Sequence, residues 1–228
     1  MTTRSHKEKL MPPKGTFFNL PRAKQDRILA AAVREFAENG YRRASLNTIV
    51  QRLGIAKGSL YQYFANKEGL FLHVFDRFTD LVKEMLASQV KNGPEADFFR
   101  QIQEALLAGL RFIDNQPDFY RIYLRVLFEE DVPRRRELLG KVRLFSMEYF
   151  GGLCARAQIN GIIRPDLPCP MVVFLMESVL DRFLQAYASP DHDNGLGLAA
   201  LSAIDRDQAV TQTIDVLKNG LGRVKAEG

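Results

Sequence analysis

Between positions 45 and 67 the chain reads SLNTIVQRLGIAKGSLYQYFANK, and this stretch limits the fold more than any other. Leu46, Ile49, Val50 and Leu53 recur at i, i+3, i+4 and i+7, which lays one apolar face along a short helix. Ser45 stands at the N-cap position, and Gly54 follows the last apolar residue, where a tight turn uses φ > 0 at no steric cost. A second short helix opens near Ala56, with Leu60 and Phe64 on its inner face. Lys57, Ser59, Tyr61, Gln62 and Tyr63 are left to face elsewhere. Two short helices joined by a glycine turn form a helix-turn-helix, whose second helix fits the DNA major groove.

The segments on either side suit that motif. Pro21 opens a helix whose stripe of Ile28, Leu29, Ala32, Val33 and Phe36 ends at Asn39-Gly40 and braces the motif from behind. Asn66 caps the start of the clearest amphipathic helix in the chain, with Leu70, Phe71, Val74, Phe75, Phe78, Leu81, Val82, Met85 and Leu86 on one face. His73 falls on the polar side of that helix, which Gly93-Pro94 ends. Further helical patterns follow over about 94–114, from Pro117, over about 133–160, 171–188 and about 205–221, with no strand alternation and no internal repeat. The expectation is an all-α fold of about nine helices. Residues 1–20 read as a flexible basic arm, although Phe17, Phe18 and Leu20 are apolar enough to pack against the first helix. Residues 21–66 form the helix-turn-helix domain, 67–93 a connecting helix, and 94–228 a second helical domain.

Charge separates the same regions. The chain carries a net +5, divided into +8 over residues 1–66 and −3 over 67–228. A basic end beside the motif fits a polyanionic partner. Arg42 and Arg43, just before Ser45, either meet phosphate or lie in a solvated loop. No run is long and apolar enough for a membrane span, and no apolar signal-peptide core opens the chain. Cys154 and Cys169 are too few for a disulfide framework and fit no metal-ligand spacing, so a reducing cytoplasm is the expected setting, with no metal and no cofactor.

The motif resembles the DNA-binding segment of the TetR family of bacterial transcription regulators. The likeness rests on Asn39-Gly40-Tyr41, Ile49-Val50 with Leu53-Gly54, Lys57-Gly58-Ser59-Leu60-Tyr61, Tyr63-Phe64 and Asn66-Lys67-Glu68. It covers the first third of the chain; beyond that the resemblance lies in helix number and length. The resemblance implies that Tyr61, Tyr63 and Lys67 touch the DNA backbone, that Lys57, Gly58, Ser59 and Gln62 lie nearest the bases, and that Ser45 meets phosphate. Gly58 lets the backbone approach the duplex, and Gln62 is the candidate for base readout because Gln pairs bidentately with adenine. Packing beside Leu60 and Phe64 is the competing explanation for Tyr61 and Tyr63.

For the second domain the resemblance implies a small-molecule site between helices and a homodimer built on the last two helices. Pairing also suits the motif physically, since two copies one DNA turn (~34 Å) apart read a palindrome. Val173, Leu180, Leu184, Val210, Ile214 and Leu217 are the interface candidates, with intramolecular core as the alternative. Tyr123, Met147, Phe150, Phe174, Met176 and Glu177 are the pocket candidates, and the many phenylalanines suggest a hydrophobic effector, fatty-acyl or aromatic. The function expected is a cytoplasmic, ligand-released repressor, associated with the bacterial nucleoid when bound to double-stranded DNA. A DNA-organising or cell-division factor governed by a protein partner is the alternative on the same scaffold. An α-helical enzyme is disfavoured: His6, His73 and His192 are far apart in sequence, and no nucleophile–base set or Gly-rich phosphate loop is present.

Overall fold

The computed structural model describes residues 13–88 and 98–222. Within them the chain forms ten α-helices and no named strand, as an all-α reading requires. They are α1 (Gly15–Phe18), α2 (Arg22–Arg43), α3 (Leu46–Leu53), α4 (Lys57–Tyr63), α5 (Lys67–Ala87), α6 (Phe98–Asn115), α7 (Pro117–Phe128), α8 (Arg135–Ile159), α9 (Cys169–Ala188) and α10 (Ala203–Leu221). The first twelve residues of the expected arm, and Gly93-Pro94, lie outside the described residues.

The helix beyond the expected nine is α1, inside what the composition suggested was a flexible arm. Phe17 explains it. Its ring is buried against Phe64 at 5.0 Å and His73 at 5.1 Å, so this segment is held by α4 and α5. Phe18 stays exposed. His73 is accordingly not on a solvated face: it is half-buried among phenylalanine rings, and burial holds its pKa below the ordinary value.

Contacts divide the chain into two units. The first takes residues up to Asp80 together with Arg121–Arg135, and the second takes Leu81–Tyr120 and residues from Arg136 onward. Helices α5, α7 and α8 each contribute residues to both units, so none of the three boundaries falls between helices. In the first unit, Ile28, Ala32 and Phe36 of α2 are buried with Ile49 of α3, Leu60 of α4, and Leu70, Val74 and Phe75 of α5. Gly40 interrupts α2 with φ 68°, a conformation that costs glycine nothing, and the expected stop is therefore a break within the helix.

The second unit is built on α6, which packs against α9 and α10. Ile102, Leu106 and Leu110 of α6 share one core with Leu153 of α8, Val172 and Met176 of α9, and Val210 and Ile214 of α10. Burying each such side chain contributes roughly 1.5–3 kcal/mol. This core corrects the interface expectation. Val173, Leu180, Val210, Ile214 and Leu217 are buried within their own chain, and Leu184 packs against Gly109, where an added Cβ would lie 2.9 Å from its Cδ1. Apolar period identifies a covered face but does not say which partner covers it.

Candidate nucleic-acid interface

The motif closes as its sequence requires. Gly54 ends α3 in the left-handed conformation, φ 67° and ψ 31°, and the chain re-enters a helix at Lys57. The Asn66 side chain caps α5 by accepting the Gly69 N–H at 2.9 Å. Ser45 occupies the N-cap of α3, but its side chain makes no capping bond. Its backbone N–H instead donates to Glu35 Oε1 at 2.9 Å. Glu35, only 2% exposed, is charge-paired through Oε2 with Arg52 of α3 at 3.3 Å. Arg52 also bonds Glu38 at 2.8 Å, and Arg34 and Arg52 together hold the Glu38 carboxyl below the usual range.

On α4, Leu60 and Tyr63 turn inward while Lys57, Gly58, Tyr61 and Gln62 are exposed and Ser59 is half-buried. A Cβ added at Gly58 would meet no protein atom within 4 Å, and Gly58 needs no positive φ. Nothing inside the protein therefore demands a glycine there. Its lack of a side chain matters only to something approaching from outside, as close backbone approach to a duplex would.

Two residues expected at the DNA backbone have internal roles as well. Tyr63 is 7% exposed, with its ring 6.3 Å from Phe17 and the Lys24 ammonium 5.9 Å from its centre, so packing accounts for it. Lys67 donates to the carbonyls of Arg42 at 3.1 Å and Ala44 at 3.2 Å, and lies 4.6 Å from the Tyr41 ring centre. It secures the link between α2 and α3. Arg42 and Arg43 are exposed beside that link.

Sequence reasoning missed Arg125. From α7 its guanidinium donates to the carbonyls of Ala37 at 3.0 Å and Glu38 at 3.1 Å, and it pairs with Glu129. These carbonyls lie just before the Gly40 break, and a Cβ at Gly40 would sit 2.8 Å from Glu129 Oε2. Gly40 thus provides both the turn and the room for the ion pair. The paired signs of Arg125 and Glu129 at i, i+4 were visible in the sequence, but their carbonyl partners were not.

Residues 28–74 match the model of bacterial regulatory proteins of the tetR family. A TetR family transcriptional regulator from Chloroflexus aurantiacus J-10-FL is 30% identical, with 93% of this chain and all of that chain covered and a TM-score of 0.72. The chain belongs to the TetR family. It is a DNA-binding transcriptional regulator. Among curated proteins, the probable acrEF/envCD operon repressor of Escherichia coli K12 is 27% identical over 162 residues, 69% of this chain and 73% of that one. The transcriptional activator FasR of Mycolicibacterium smegmatis is 28% identical over 218 residues, 90% and 86% of the two chains. At 17% identity, FadR of Bacillus subtilis, solved with stearoyl-CoA, shares the fold, with a TM-score of 0.67 over 86% of this chain and 98% of that one. These relatives are regulators, not enzymes.

The pocket candidates of this TetR-family chain are spread over both units. Tyr123 lies in the first unit, stacked on Phe78 at 5.3 Å. Phe150 and Met176 belong to the core of the second unit. Met147 and Phe174 are exposed, Phe174 at 62%, so neither lines an enclosed cavity in this chain. Glu177 is half-buried, and its Oε1 is covered without a hydrogen-bond partner. No helix among the described residues is long and apolar enough to cross a membrane.

Proposed function

We propose that this protein is a homodimeric repressor that leaves a palindromic operator when the second unit binds a hydrophobic effector, of which a long-chain acyl-CoA is the class to test first. The observation that carries the reading is the exposed row Lys57, Gly58, Tyr61 and Gln62 on α4, at the basic end of the chain. Tyr61 and Ser45 supply phosphate donors, Gly58 the close approach, and Gln62 the base readout, with Lys57 and Ser59 nearest the bases beside it.

Pairing uses the exposed side of the two helices whose inner side forms the core. Met171, Phe174 and Leu175 make an exposed apolar stripe on α9, and Val216 is exposed on α10. Phe150, Met176 and Glu177 remain the effector residues of this reading, Glu177 because a buried, unsatisfied carboxylate oxygen suits a donor on a ligand. The acyl-CoA class is suggested by the stearoyl-CoA held by the B. subtilis FadR structure. An effector acts by preferring one of two arrangements, and a coupling of ~1–3 kcal/mol suffices. Both α5 and α7 take part in both units, so either gives such a preference a route toward α4.

The test is a selection of genomic fragments by the purified protein, repeated with Lys57→Ala and then with stearoyl-CoA or CoA alone. One palindrome beside a few promoters, lost in the variant and released by stearoyl-CoA but not by CoA, is the expected result. Many dispersed sites favour a DNA-organising factor, and tight acyl-CoA binding without release rules out the switch. FasR is named an activator, which favours a second reading in which the same site raises transcription. A reporter at the selected promoter separates the two: deletion of the regulator raises its output under repression and lowers it under activation.

A further inference from the structure

Helix α4 spans only Lys57–Tyr63, and no glycine follows it to cap its end. The last four carbonyls of a helix have no partner within it. In α4 the Leu60 carbonyl accepts the Phe64 N–H at 2.9 Å. The other three are all taken by a segment more than forty residues away in sequence. Lys14 Nζ donates to the Tyr61 carbonyl at 2.8 Å, Thr16 Oγ1 to the Gln62 carbonyl at 2.5 Å, and the Lys14 N–H to the Tyr63 carbonyl at 2.8 Å. Phe17 anchors this segment with its ring 5.0 Å from Phe64. The Lys14 ammonium also sits at the negative end of the helix dipole, where a cation is favoured.

We propose that Lys14 and Thr16 are positioning residues for DNA readout: by capping α4 from the N-terminal side, they set the pose in which Tyr61 and Gln62 meet the duplex. The proposal rests on the reading that α4 is the DNA-contacting helix. Thr16 grips the backbone of Gln62 itself, and Lys14 grips that of Tyr61. An uncapped seven-residue helix frays from this end, which spreads the Gln62 side chain over several poses. Operator affinity then falls, while affinity for arbitrary DNA, governed by charge, does not. The capping Lys14 is spent on a carbonyl, so it adds nothing to the salt dependence of binding.

The experiment uses the full chain with Thr16→Val, Thr16→Ser, Lys14→Met and Lys14→Arg. Each is assayed by randomised-site selection, by operator and non-specific affinity across a salt series, and by thermal unfolding. Thr16→Val keeps the shape and removes the donor. It is expected to lower the ratio of operator to non-specific affinity by about three- to tenfold, with relaxed preference at the base pairs Gln62 reads, and Thr16→Ser restores it. Lys14→Met should do the same with the salt slope unchanged. A wild-type preference in both Thr16→Val and Lys14→Met overturns the proposal. So does equal loss on operator and arbitrary DNA that tracks a fall in unfolding temperature, the mark of a purely structural role. A salt slope reduced by about one in Lys14→Met also overturns it, because it makes Lys14 a phosphate contact. If the wild-type protein selects no sequence at all, it is the DNA-reading assignment of α4 that fails, and the clamp fails with it.

Discussion

The two units are stabilised by different means. In the second, long helices bury one continuous set of apolar side chains, from Leu106 and Leu110 to Val173 and Ile214. In the first, α3 and α4 have eight and seven residues, too few to persist on their own, and one side of α4 stays uncovered. Their ends are held by side chains arriving from distant segments. Arg27 reaches the Leu53 carbonyl, Lys67 the carbonyls of Arg42 and Ala44 that lead into α3, Glu35 the Ser45 N–H, and Lys14 and Thr16 the end of α4. A helix that must offer one face to a partner cannot use that face for burial, so polar caps take over part of what packing does elsewhere.

The largest effect should come from the core. Leu106 is fully buried, and Leu106→Ala is expected to cost about 2–5 kcal/mol in urea-induced unfolding. Phe174→Glu, on the exposed stripe of α9, should leave a folded monomer and shift the dimer equilibrium, read by sedimentation. A stable dimer in that variant would move the pairing surface off α9.

Next in size is Arg125, whose two carbonyl bonds and ion pair contribute roughly 1–3 kcal/mol. Arg125→Met should lower the protection of α2 amides near Ala37 from hydrogen exchange while those of α10 are unchanged. It should also weaken the coupling between effector and operator, since Arg125 fixes α7 to α2. Full coupling with lost protection would leave Arg125 a local cap. Gly40→Ala should resemble it, because both the positive φ and the Glu129 carboxylate resist a Cβ.

A smaller change in stability accompanies a sharper change in binding at Gly58. With open space around the added methyl and a helical backbone, Gly58→Ala should raise helix stability by up to about 1 kcal/mol. Operator affinity should fall, as measured by titration. Unchanged affinity would place the duplex farther from α4 than proposed.

The contrast between units also explains what the sequence could reveal. Helical period located α3, the inward residues Leu60 and Ile49, and helices α6–α10 to within a few residues, because burial leaves a repeating trace. Gly54 and Asn66 were legible because turn and cap chemistry is local. The caps by Lys14, Thr16, Lys67 and Arg125 were not. Each joins a charged or hydroxyl side chain to a backbone carbonyl, which every residue carries, so no residue type marks the acceptor. The same limit misassigned Val173 and Leu217, since a core face and a dimer face share one composition.

His73 tests the aromatic side of the first unit. Phe17, Phe18 and Phe64 surround its ring, and burial outweighs Asp76 and Asp80 in setting its pKa below the ordinary value, with Arg77 lowering it further. The unfolded chain therefore takes up this proton first as pH falls past about 6.5. Protons bound preferentially by the unfolded state reduce stability, so the contribution is complete above that pH and declines below it. Glu38, whose carboxyl is held low by Arg34 and Arg52, adds its own loss only as pH falls through the ordinary carboxylate value near 4.5. Between pH 7 and 5 the slope thus isolates His73. Unfolding of the wild type should lose stability across that window, and His73→Leu should flatten the loss while α1 stays docked through Phe17. A slope that persists in His73→Leu would assign the titration to another group. A slope that vanishes together with operator preference would show that the His73 ring, like Lys14 and Thr16, helps hold the segment that caps α4.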